Sequence, residues 1–434
     1  MRRQRGALQR ESESDVDHER LNVTTTTIML LALCAVSANT GCAVATDEDE
    51  GAVATQDEAL RLPPDGVTLT PITKFPKPQR PNFEQLVEIS AGRNHTCVRK
   101  ANGKVYCWGM TSYGQSGTPT ATCYQGVPCV TAPTFTGITA IQVELGYDHS
   151  CAVDTGGQGV CWGANHNMQL GNGAWSNGSN FPANAQPAKL NGAPILFSQL
   201  SAGDFSTCGI TAGARNVVCW GIAGAGAYPS GTGNPNPTLL LNSGGILLDR
   251  IDSITTGYAG ACITFNLTNN LGTENYCFVG MNAAGRVSLK YAWDSSATRI
   301  SAQSNAYCAD KANGTVQCFG INWQGELGNG TQTHSQVPVT VGGGMPLRGV
   351  SMGQNHACAL DPAGFPLCWG NGVLSPAPVT TPVPLTQLAS GDLHTCGLGT
   401  DSHIYCWGNN TYGQIGNGTF QNTSVGVTQL SDPL

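Results

Sequence analysis

The chain has 434 residues, of which 40% are hydrophobic and only 11% are charged, so it can bury a large core. From residue 59 onward, 16 basic residues stand against 17 acidic ones. A near-neutral domain is not built for nonspecific nucleic-acid binding, so no nucleic-acid partner is expected. Seven of the bases lie between Lys74 and Lys104, where a local basic patch is the alternative to an ordinary solvated surface.

Residues 1–41 have the features of a signal peptide. The apolar run from Ile28 to Ala38 is too short to span a bilayer but suits a signal-peptide core. The next step, Gly41-Cys42, looks like a bacterial lipoprotein cleavage point, which predicts a lipid on Cys42. Ordinary cleavage nearby is the alternative, because Asn39 stands where such signals usually carry leucine. We expect an exported protein, either secreted or held on the cell envelope, that contacts the membrane only through this lipid.

Residues 42–81 are acidic at first and then rich in proline, which predicts a disordered tether. The remaining segment, 82–434, contains the repeated pattern described next, and we expect it to form the folded domain.

Seven times in the folded segment, a cysteine is followed 10 to 15 residues later by a second cysteine that has an aromatic residue directly after it. In four copies a glycine stands third in the intervening turn, which is typical of a three-residue hairpin loop. In that register the two cysteines face each other across the hairpin, so a cross-strand disulfide is predicted in each copy. The pairs are Cys97/Cys107, Cys151/Cys161, Cys208/Cys219, Cys262/Cys277, Cys308/Cys318, Cys358/Cys368 and Cys396/Cys406.

Metal binding is the competing interpretation of these cysteines, but zinc sites need closely spaced cysteines or clustered histidines. We therefore expect no metal and no cofactor. Two further cysteines, Cys123 and Cys129, predict an eighth, local disulfide. Disulfides persist outside a reducing cytosol, which agrees with export.

Each copy contains about four short strand patterns and no helical pattern, and four copies also carry a glycine-rich turn such as Gly413-Gln414-Ile415-Gly416. The copies recur at intervals typical of propeller blades. The aromatic residue after each second cysteine points to the opposite strand face from that cysteine. We expect it to pack between blades rather than to stack on a ligand.

The repeating unit reads Ser-Ala-Gly-x-x-His-Thr-Cys, then Asn-Gly-x-Val-x-Cys-Trp-Gly, then Gly-Gln-x-Gly-Asn-Gly. It resembles the repeat of the regulator of chromosome condensation family over about residues 86–430. The resemblance implies an all-β, seven-bladed β-propeller. Its founding member is a nucleotide exchange factor for a nuclear GTPase, and a β-lactamase-inhibiting propeller is among its secreted members. Because the family usually closes its ring by joining the chain ends in one blade, we expect Ser424–Thr428 to complete the first blade, with Val67–Pro71 as the rival.

The sequence contains few candidate catalytic or ligand-binding residues. Four copies carry a histidine two residues before the first cysteine, and we expect it to form structural hydrogen bonds rather than to bind a metal. These residues are His95, His149, His356 and His394. No catalytic motif and no paired-carboxylate motif is visible. Three tryptophans outside the Cys-Trp position, Trp175, Trp293 and Trp323, are candidate contact residues, and capping of blade edges is the alternative.

These observations predict a monomeric, non-catalytic scaffold that binds a protein or a cell-envelope polymer through loops on one face of the ring. A secreted enzyme inhibitor is the alternative. A GTPase exchange factor and a hydrolase or lyase with a site in the central channel are less favoured.

Overall fold

The computed structural model describes residues 84–222, 234–258, 260–266, 273–279, 286–303 and 305–429. The chain divides into two compact units, Met1–Phe75 and Pro76–Leu434, and every described residue lies in the second. The expected signal peptide, Cys42, the tether over 42–81 and the rival closing strand at Val67–Pro71 lie outside the described residues.

The described residues form β-strands and three short 3-10 helices. None of the helices there is long and apolar enough to cross a membrane. In chain order the strands are β1 (Leu86–Ala91), β2 (His95–Lys100), β3 (Lys104–Met110), β4 (Ala121–Thr122), β5 (Pro128–Leu145), β6 (His149–Asp154), β7 (Gly159–Gly163), β8 (Gln186–Pro187), β9 (Lys189–Leu190), β10 (Ala193–Pro194), β11 (Phe197–Ala202), β12 (Ser206–Thr211), β13 (Val217–Gly221), β14 (Asn234–Leu239), β15 (Ile251–Thr256), β16 (Gly260–Asn266), β17 (Thr273–Val279), β18 (Lys290–Trp293), β19 (Ala297–Gln303), β20 (Ala306–Lys311), β21 (Val316–Gly320), β22 (Ser335–Thr340), β23 (Arg348–Met352), β24 (His356–Leu360), β25 (Pro366–Gly370), β26 (Val373–Pro378), β27 (Leu385–Ser390), β28 (His394–Gly399), β29 (Ile404–Gly408) and β30 (Thr423–Gln429). The 3-10 helices span Tyr124–Gly126, Pro182–Asn184 and Val341–Gly344.

The strands assemble into seven antiparallel blades that follow one another along the chain. The first two blades share the long strand β5, which is the outer strand of blade one and then the inner strand of blade two. The other five blades are separate four-stranded sheets, β11–β14, β15–β18, β19–β22, β23–β26 and β27–β30. The predicted all-β, seven-bladed propeller is confirmed.

The cysteine pairs lie across the hairpins in the predicted register. In all seven copies the two cysteines are direct partners on the second and third strands, with their Cα atoms 4.0 or 4.1 Å apart. This short spacing is typical of a non-hydrogen-bonded antiparallel pair. The third turn residue of the first hairpin, Gly103, has a φ of +86°, the left-handed conformation that favours glycine.

Every predicted disulfide is formed in the structure. The hairpin bonds are Cys97–Cys107, Cys151–Cys161, Cys208–Cys219, Cys262–Cys277, Cys308–Cys318, Cys358–Cys368 and Cys396–Cys406. The third and fourth hairpins have longer turns, yet Cys219 and Cys277 still lie directly opposite their partners. The eighth bond joins Cys123 to Cys129.

Four of the five tryptophans of the Cys-Trp-Gly motifs, Trp108, Trp162, Trp220 and Trp369, donate a hydrogen bond to a turn carbonyl of a neighbouring blade. Trp162 is fully buried, and its indole Nε1–H donates to the main-chain carbonyl of Gln115 in the glycine-rich turn of blade one (2.9 Å). The Ser150 hydroxyl donates to the same carbonyl (3.0 Å) and lies 3.0 Å from Nε2 of His95. We call this arrangement of indole, hydroxyl, histidine and turn carbonyl the turn clasp. It recurs with Trp220, Thr207, His149 and the carbonyl of Gln169, and with Trp108, Thr96, His394 and the carbonyl of Gln414.

The turn clasp explains two recurring features of the repeat within this chain. A Cβ atom at Gly416 would lie 2.6 Å from Nε1 of Trp108, so only glycine fits where the turn passes over the indole. Since the hydroxyl proton goes to the turn carbonyl, the histidine must donate its Nε2–H to the hydroxyl oxygen. Burial lowers the pKa of His95 to about 3, which agrees with a neutral ring. The predicted structural role of these histidines is confirmed, and no metal-binding cluster occurs within the described ranges.

Polar side chains of the inner strands form a second connection between blades, along the central channel. The Ser90 hydroxyl oxygen accepts the main-chain N–H of Leu145 in the next blade (3.1 Å). The side-chain amide of Gln142 bonds both main-chain groups of Leu200, with distances of 2.8 and 2.9 Å. Equivalent serine bonds come from Ser201, Ser301 and Ser351. A serine near the end of the inner strand therefore ties four of the seven inner strands to the next one.

The expectation for ring closure is wrong. The last strand, β30, pairs with β29 of its own copy, so Ser424–Thr428 completes blade seven and not blade one. The reason is that each copy supplies four consecutive strands, and its fourth strand returns against its own third, as β22 does against β21. The ring closes without strand exchange, through the turn clasp between blades seven and one and through the Gln387 side chain, which bonds both main-chain groups of Ile89.

Candidate functional site

One end of the central channel is surrounded by the short loops that join the first and second strands of the blades. These loops are the Gly-x-x-His segments of the repeat, and they touch one another through main-chain hydrogen bonds. The N–H of Arg93 donates to the carbonyl of Tyr147 (3.1 Å), and the N–H of Asp392 donates to the carbonyl of Arg93 (3.2 Å). Seven of the side chains at the two variable loop positions form what we call the channel mouth: Arg93, Tyr147, Asp148, Asp204, Phe205, Tyr258 and Asp392.

Three carboxylates and one guanidinium meet at the channel mouth. Arg93 lies between two of the carboxylates, with Nη1 3.8 Å from Asp148 Oδ2 and Nε 3.4 Å from Asp392 Oδ2. Asp148, Asp204 and Asp392 are only 7%, 3% and 5% exposed. In each of the three, Oδ1 has no hydrogen-bond partner among the described residues. A buried oxygen without a partner is costly, so the mouth can accept a donor that this part of the chain does not supply.

The electrostatics of the mouth follow from this burial. Burial raises the pKa of Asp148 to about 6, against the opposing effect of Arg93. Burial, followed by repulsion from Asp148, raises the pKa of Asp204 to about 7. The pKa of Asp392 is also raised to about 7, mainly by burial, while Arg93 lowers it and the other two carboxylates raise it. Because the mouth contains a single guanidinium, which contacts two of its three carboxyl groups, the ionised mouth carries excess negative charge and favours a cationic ligand.

Aromatic rings extend the mouth across three blades. The Tyr147 and Phe205 rings lie 5.5 Å apart, and Phe205 makes an edge contact with Tyr258 at 5.6 Å. The guanidinium of Arg93 lies over the Tyr147 ring, 4.3 Å from its centroid. Tyr258 is exposed. Aromatic faces beside carboxylates suit a ligand that carries a positive charge on an apolar stem.

The channel interior also contains acids, although no paired-carboxylate motif is visible in the sequence. Glu88 and Glu144 line a cavity of about 260 Å³, and burial followed by repulsion from Glu88 raises the pKa of Glu144 to about 8. Glu88 forms an ion pair with Arg99 (2.6 Å) and accepts the N–H of Val143 in the next blade (3.3 Å). Glu144 accepts a hydrogen bond from the Gln142 side chain (3.1 Å). These acids bond within and between blades, so the mouth is the stronger candidate site.

The tryptophans predicted as contact residues are not brought together. Trp175 and Trp323 are 57% and 67% exposed and belong to blades two and five. The ring of Trp323 lies 4.3 Å from that of His334, measured between centroids. Trp293 needs a correction, because it lies in β18, is 1% exposed and packs 4.9 Å from the Phe319 ring. It belongs to the core between blades four and five and is not available to a partner.

The paired cysteines belong to the scaffold and not to the candidate site. The second cysteines of six pairs are buried in the blades: Cys107, Cys161, Cys219, Cys277, Cys318 and Cys406. Each is bonded to a sulfur of its own hairpin, so it offers no free thiolate to a metal or a substrate. Cys368 is also bonded but only partly buried, because it lies beside the opening between blades six and seven that is described below.

No motif marks the mouth residues, because the two positions between glycine and histidine vary from copy to copy. These residues can be identified by their position in the repeat. The same two positions in every copy face the same end of the ring, so their residues must be compared across copies. That comparison shows three aspartates, one arginine and three aromatic rings at one end of the channel.

Comparison with known proteins agrees with this architecture. Two family models match the chain, both described as regulator of chromosome condensation (RCC1) repeat. One matches residues 86–115 and 385–414, and the other matches residues 102–153 and 401–428. Among solved structures, human WBSCR16 superimposes with a TM-score of 0.60 at 16% identity, covering 76% of this chain and 95% of that one. At this identity the likeness concerns the fold alone.

Two curated relatives are much longer proteins. The chain is 32% identical over 146 residues to the human probable E3 ubiquitin-protein ligase HERC6, which is 32% of this chain and 13% of that protein. It is 22% identical over 215 residues to a Dictyostelium discoideum bifunctional serine/threonine-protein kinase/NEDD4-like E3 ubiquitin-protein ligase, which is 48% of this chain and 11% of that protein. The chain thus matches only a small part of either relative.

Replacing Asp204 with asparagine should stabilise the fold at pH 8. The folded pKa of Asp204, about 7, lies above its ordinary value of 3.8, so ionisation costs stability as the pH rises from about 4 to 7. We expect Asp204→Asn to gain about 1–3 kcal/mol at pH 8 and close to nothing at pH 4. Guanidinium unfolding at both pH values measures the difference.

The matched control is Asp154→Asn, which removes one carboxylate from a hairpin turn at the opposite end of the blades. A stability gain for Asp204→Asn that is equal at pH 4 and pH 8, or a loss at pH 8, would contradict the electrostatic description of the mouth.

Proposed function

Because the chain belongs to the regulator of chromosome condensation repeat family, we propose that it is a non-catalytic binding scaffold whose partner docks at the channel mouth. The observation that supports this proposal most directly is the unpartnered oxygen on each of three buried carboxylates. If these loops had only a structural role, we would expect each buried carboxylate to have a hydrogen-bonding partner or to be replaced by a neutral residue.

The partner that suits the mouth is a protein or an envelope polymer presenting a positively charged group. A lysine or arginine side chain could place its charge among the carboxylates and its methylene groups against Tyr147 and Phe205. Arg93 already shows this geometry within the chain, since its guanidinium lies over Tyr147 and between Asp148 and Asp392. We propose that the bound cation adds to this arrangement on the side of Asp204.

We further propose that the protein acts outside the reducing cytosol. The eight disulfides of the described residues support this location, because such bonds persist only in an oxidising compartment. Residues 1–41 would serve as the signal, and Cys42 as the lipid-bearing residue that holds the propeller at the envelope as a monomer.

A pull-down from envelope fractions tests the binding proposal. The variant Asp148→Asn/Asp204→Asn/Asp392→Asn removes the charge of the mouth with little change in shape. We expect it to recover at least tenfold less of the partner than the wild type, since three ionic contacts are lost.

The matched control is Asp154→Asn/Asp361→Asn/Asp401→Asn, which removes three carboxylates from hairpin turns at the other end of the blades. Equal recovery by wild type and mouth variant would overturn the proposal. Recovery of a single hydrolase at equimolar yield would instead assign the protein to the secreted-inhibitor class.

Metabolic labelling with a radioactive fatty acid tests the proposed anchor. We expect the label on the wild-type protein and none on a Cys42→Ser variant, which should leave the envelope for the medium. Label on the Cys42→Ser protein would contradict lipid attachment at Cys42. An unlabelled wild type whose mature N-terminus is not residue 42 would indicate ordinary secretion instead of lipid anchoring.

A further inference from the structure

The sixth copy lacks the turn that completes the turn clasp. After Cys368-Trp369-Gly370 the chain continues through Asn371 and Gly372 directly into β26. The turn is present in four other copies, at residues 114–117, 168–171, 325–328 and 413–416. In each of these four, its second residue offers the main-chain carbonyl that accepts the indole N–H of the following blade.

The missing turn leaves a slot of about 190 Å³ between blades six and seven. Trp369, Val373, Leu393, Thr395 and Trp407 are among the residues that line it. Trp407 is only partly buried, and its indole N–H has no hydrogen-bond acceptor among the described residues. Each tryptophan whose preceding blade carries the turn is buried instead, with its N–H bonded.

The choice of aromatic residue along the chain makes this partly exposed indole unusual. The Gln-x-Gly and Glu-x-Gly sequences are also missing after the second cysteines of copies three and four, and the blades that follow these copies carry Phe278 and Phe319, which have no N–H to satisfy. Trp407 is the exception, because it follows a copy without the turn and still presents a donor. A tryptophan at this place is explained if its N–H finds an acceptor outside the described chain.

The hydroxyl and the histidine of a turn clasp are both present at the slot. The Thr395 hydroxyl lies 2.8 Å from Nε2 of His356 and 3.1 Å from the Ser390 hydroxyl, as the hydroxyls of complete clasps lie beside their histidines. The slot continues the established interface between blades six and seven. It also adjoins the channel mouth, because Leu393 lines it and is the neighbour of Asp392.

We propose that the slot binds a peptide turn of a partner protein, with a main-chain carbonyl accepting from Trp407 and a glycine lying against its ring. The chemistry of the occupant follows from the four filled positions. In all four, the second residue of the turn accepts the indole N–H through its main-chain carbonyl. In three of them the glycine of the turn also lies against the ring, at Gly171, Gly328 and Gly416. This second contact is independent of the charged contact at the mouth, and it selects for main-chain shape instead of charge.

A cyclised peptide with the sequence of residues 409–418, the turn of blade seven, is a direct probe. We expect it to shift the indole N–H resonance of Trp407 saturably in the NMR spectrum of the full-length protein. The same peptide carrying Gly416→Ala should bind at least tenfold more weakly, since its Cβ atom would overlap the indole, as it would with Trp108.

Two variants identify the contact. Trp407→Phe should fold, because phenylalanine occupies the equivalent position in copies four and five, and should weaken binding of the peptide at least tenfold. The matched control, Trp162→Phe, loses an indole that is already bonded and should bind the peptide like the wild type.

The proposal is overturned if millimolar peptide leaves the Trp407 resonance unmoved, or if Trp407→Phe binds the peptide as well as the wild type does. Binding that appears only after removal of residues 430–434 would assign the slot to the chain's own end and would also overturn it.

Discussion

A single main-chain carbonyl, shared between an indole N–H and a hydroxyl of the next blade, organises this structure. In the complete clasps, both donors reach the second residue of the Gly-Gln-x-Gly turn from blades that are otherwise separate sheets. Each hydrogen bond contributes only about 0.5–1.5 kcal/mol, but the group is buried, so losing the acceptor leaves two donors unsatisfied. In the three complete clasps, the tryptophan, the hydroxyl residue and the histidine are therefore constrained together.

The clasp also explains why the ring can close without exchanging a strand. Blade one and blade seven meet through Thr96, Trp108, His394 and Gln414 in the same way as consecutive blades do. The closing interface thus has the same hydrogen bonds as the complete clasps between consecutive blades, and no strand is exchanged across it. The seven hairpin disulfides stabilise single blades and not the contacts between blades. Each of them links two strands of the same blade, and none joins two blades.

A rigid ring can carry groups that lower its own stability. The three mouth carboxylates are buried, and the single guanidinium of the mouth lies between only two of them, which is unfavourable for the isolated protein. Groups of this kind are common at binding sites, because a ligand can supply the missing partner. The open slot over Trp407 lies beside the same mouth, so charge and shape could be recognised on one face of the propeller.

Local repetition is what made much of the fold predictable from the sequence. The spacing of Cys97 and Cys107, with a glycine in the turn between them, was sufficient to predict the register of the hairpin and its disulfide. The buried role of Trp108 followed from strand alternation. The prediction for ring closure was wrong, because it was based on how the family usually closes its ring. The sequence of Ser424–Thr428 itself does not indicate which strand it pairs with.

The candidate site was largely invisible in the sequence for the opposite reason. Asp148, Asp204 and Asp392 are separated by more than fifty residues from one another and meet only because the ring places their loops together. Trp293 appeared to lie in a loop but belongs to a fourth strand that no motif marked. The slot, in contrast, begins as a sequence feature, the missing turn of copy six, whose meaning required the clasp to be seen.

Hydrogen exchange of the tryptophan indole N–H groups tests the clasp most directly. The account predicts slow exchange for Trp108, Trp162, Trp220 and Trp369, whose N–H groups are buried and bonded to a turn carbonyl, and fast exchange for Trp407 in the unliganded protein. Protection of Trp407 equal to that of the other four, or rapid exchange of all five, would contradict it.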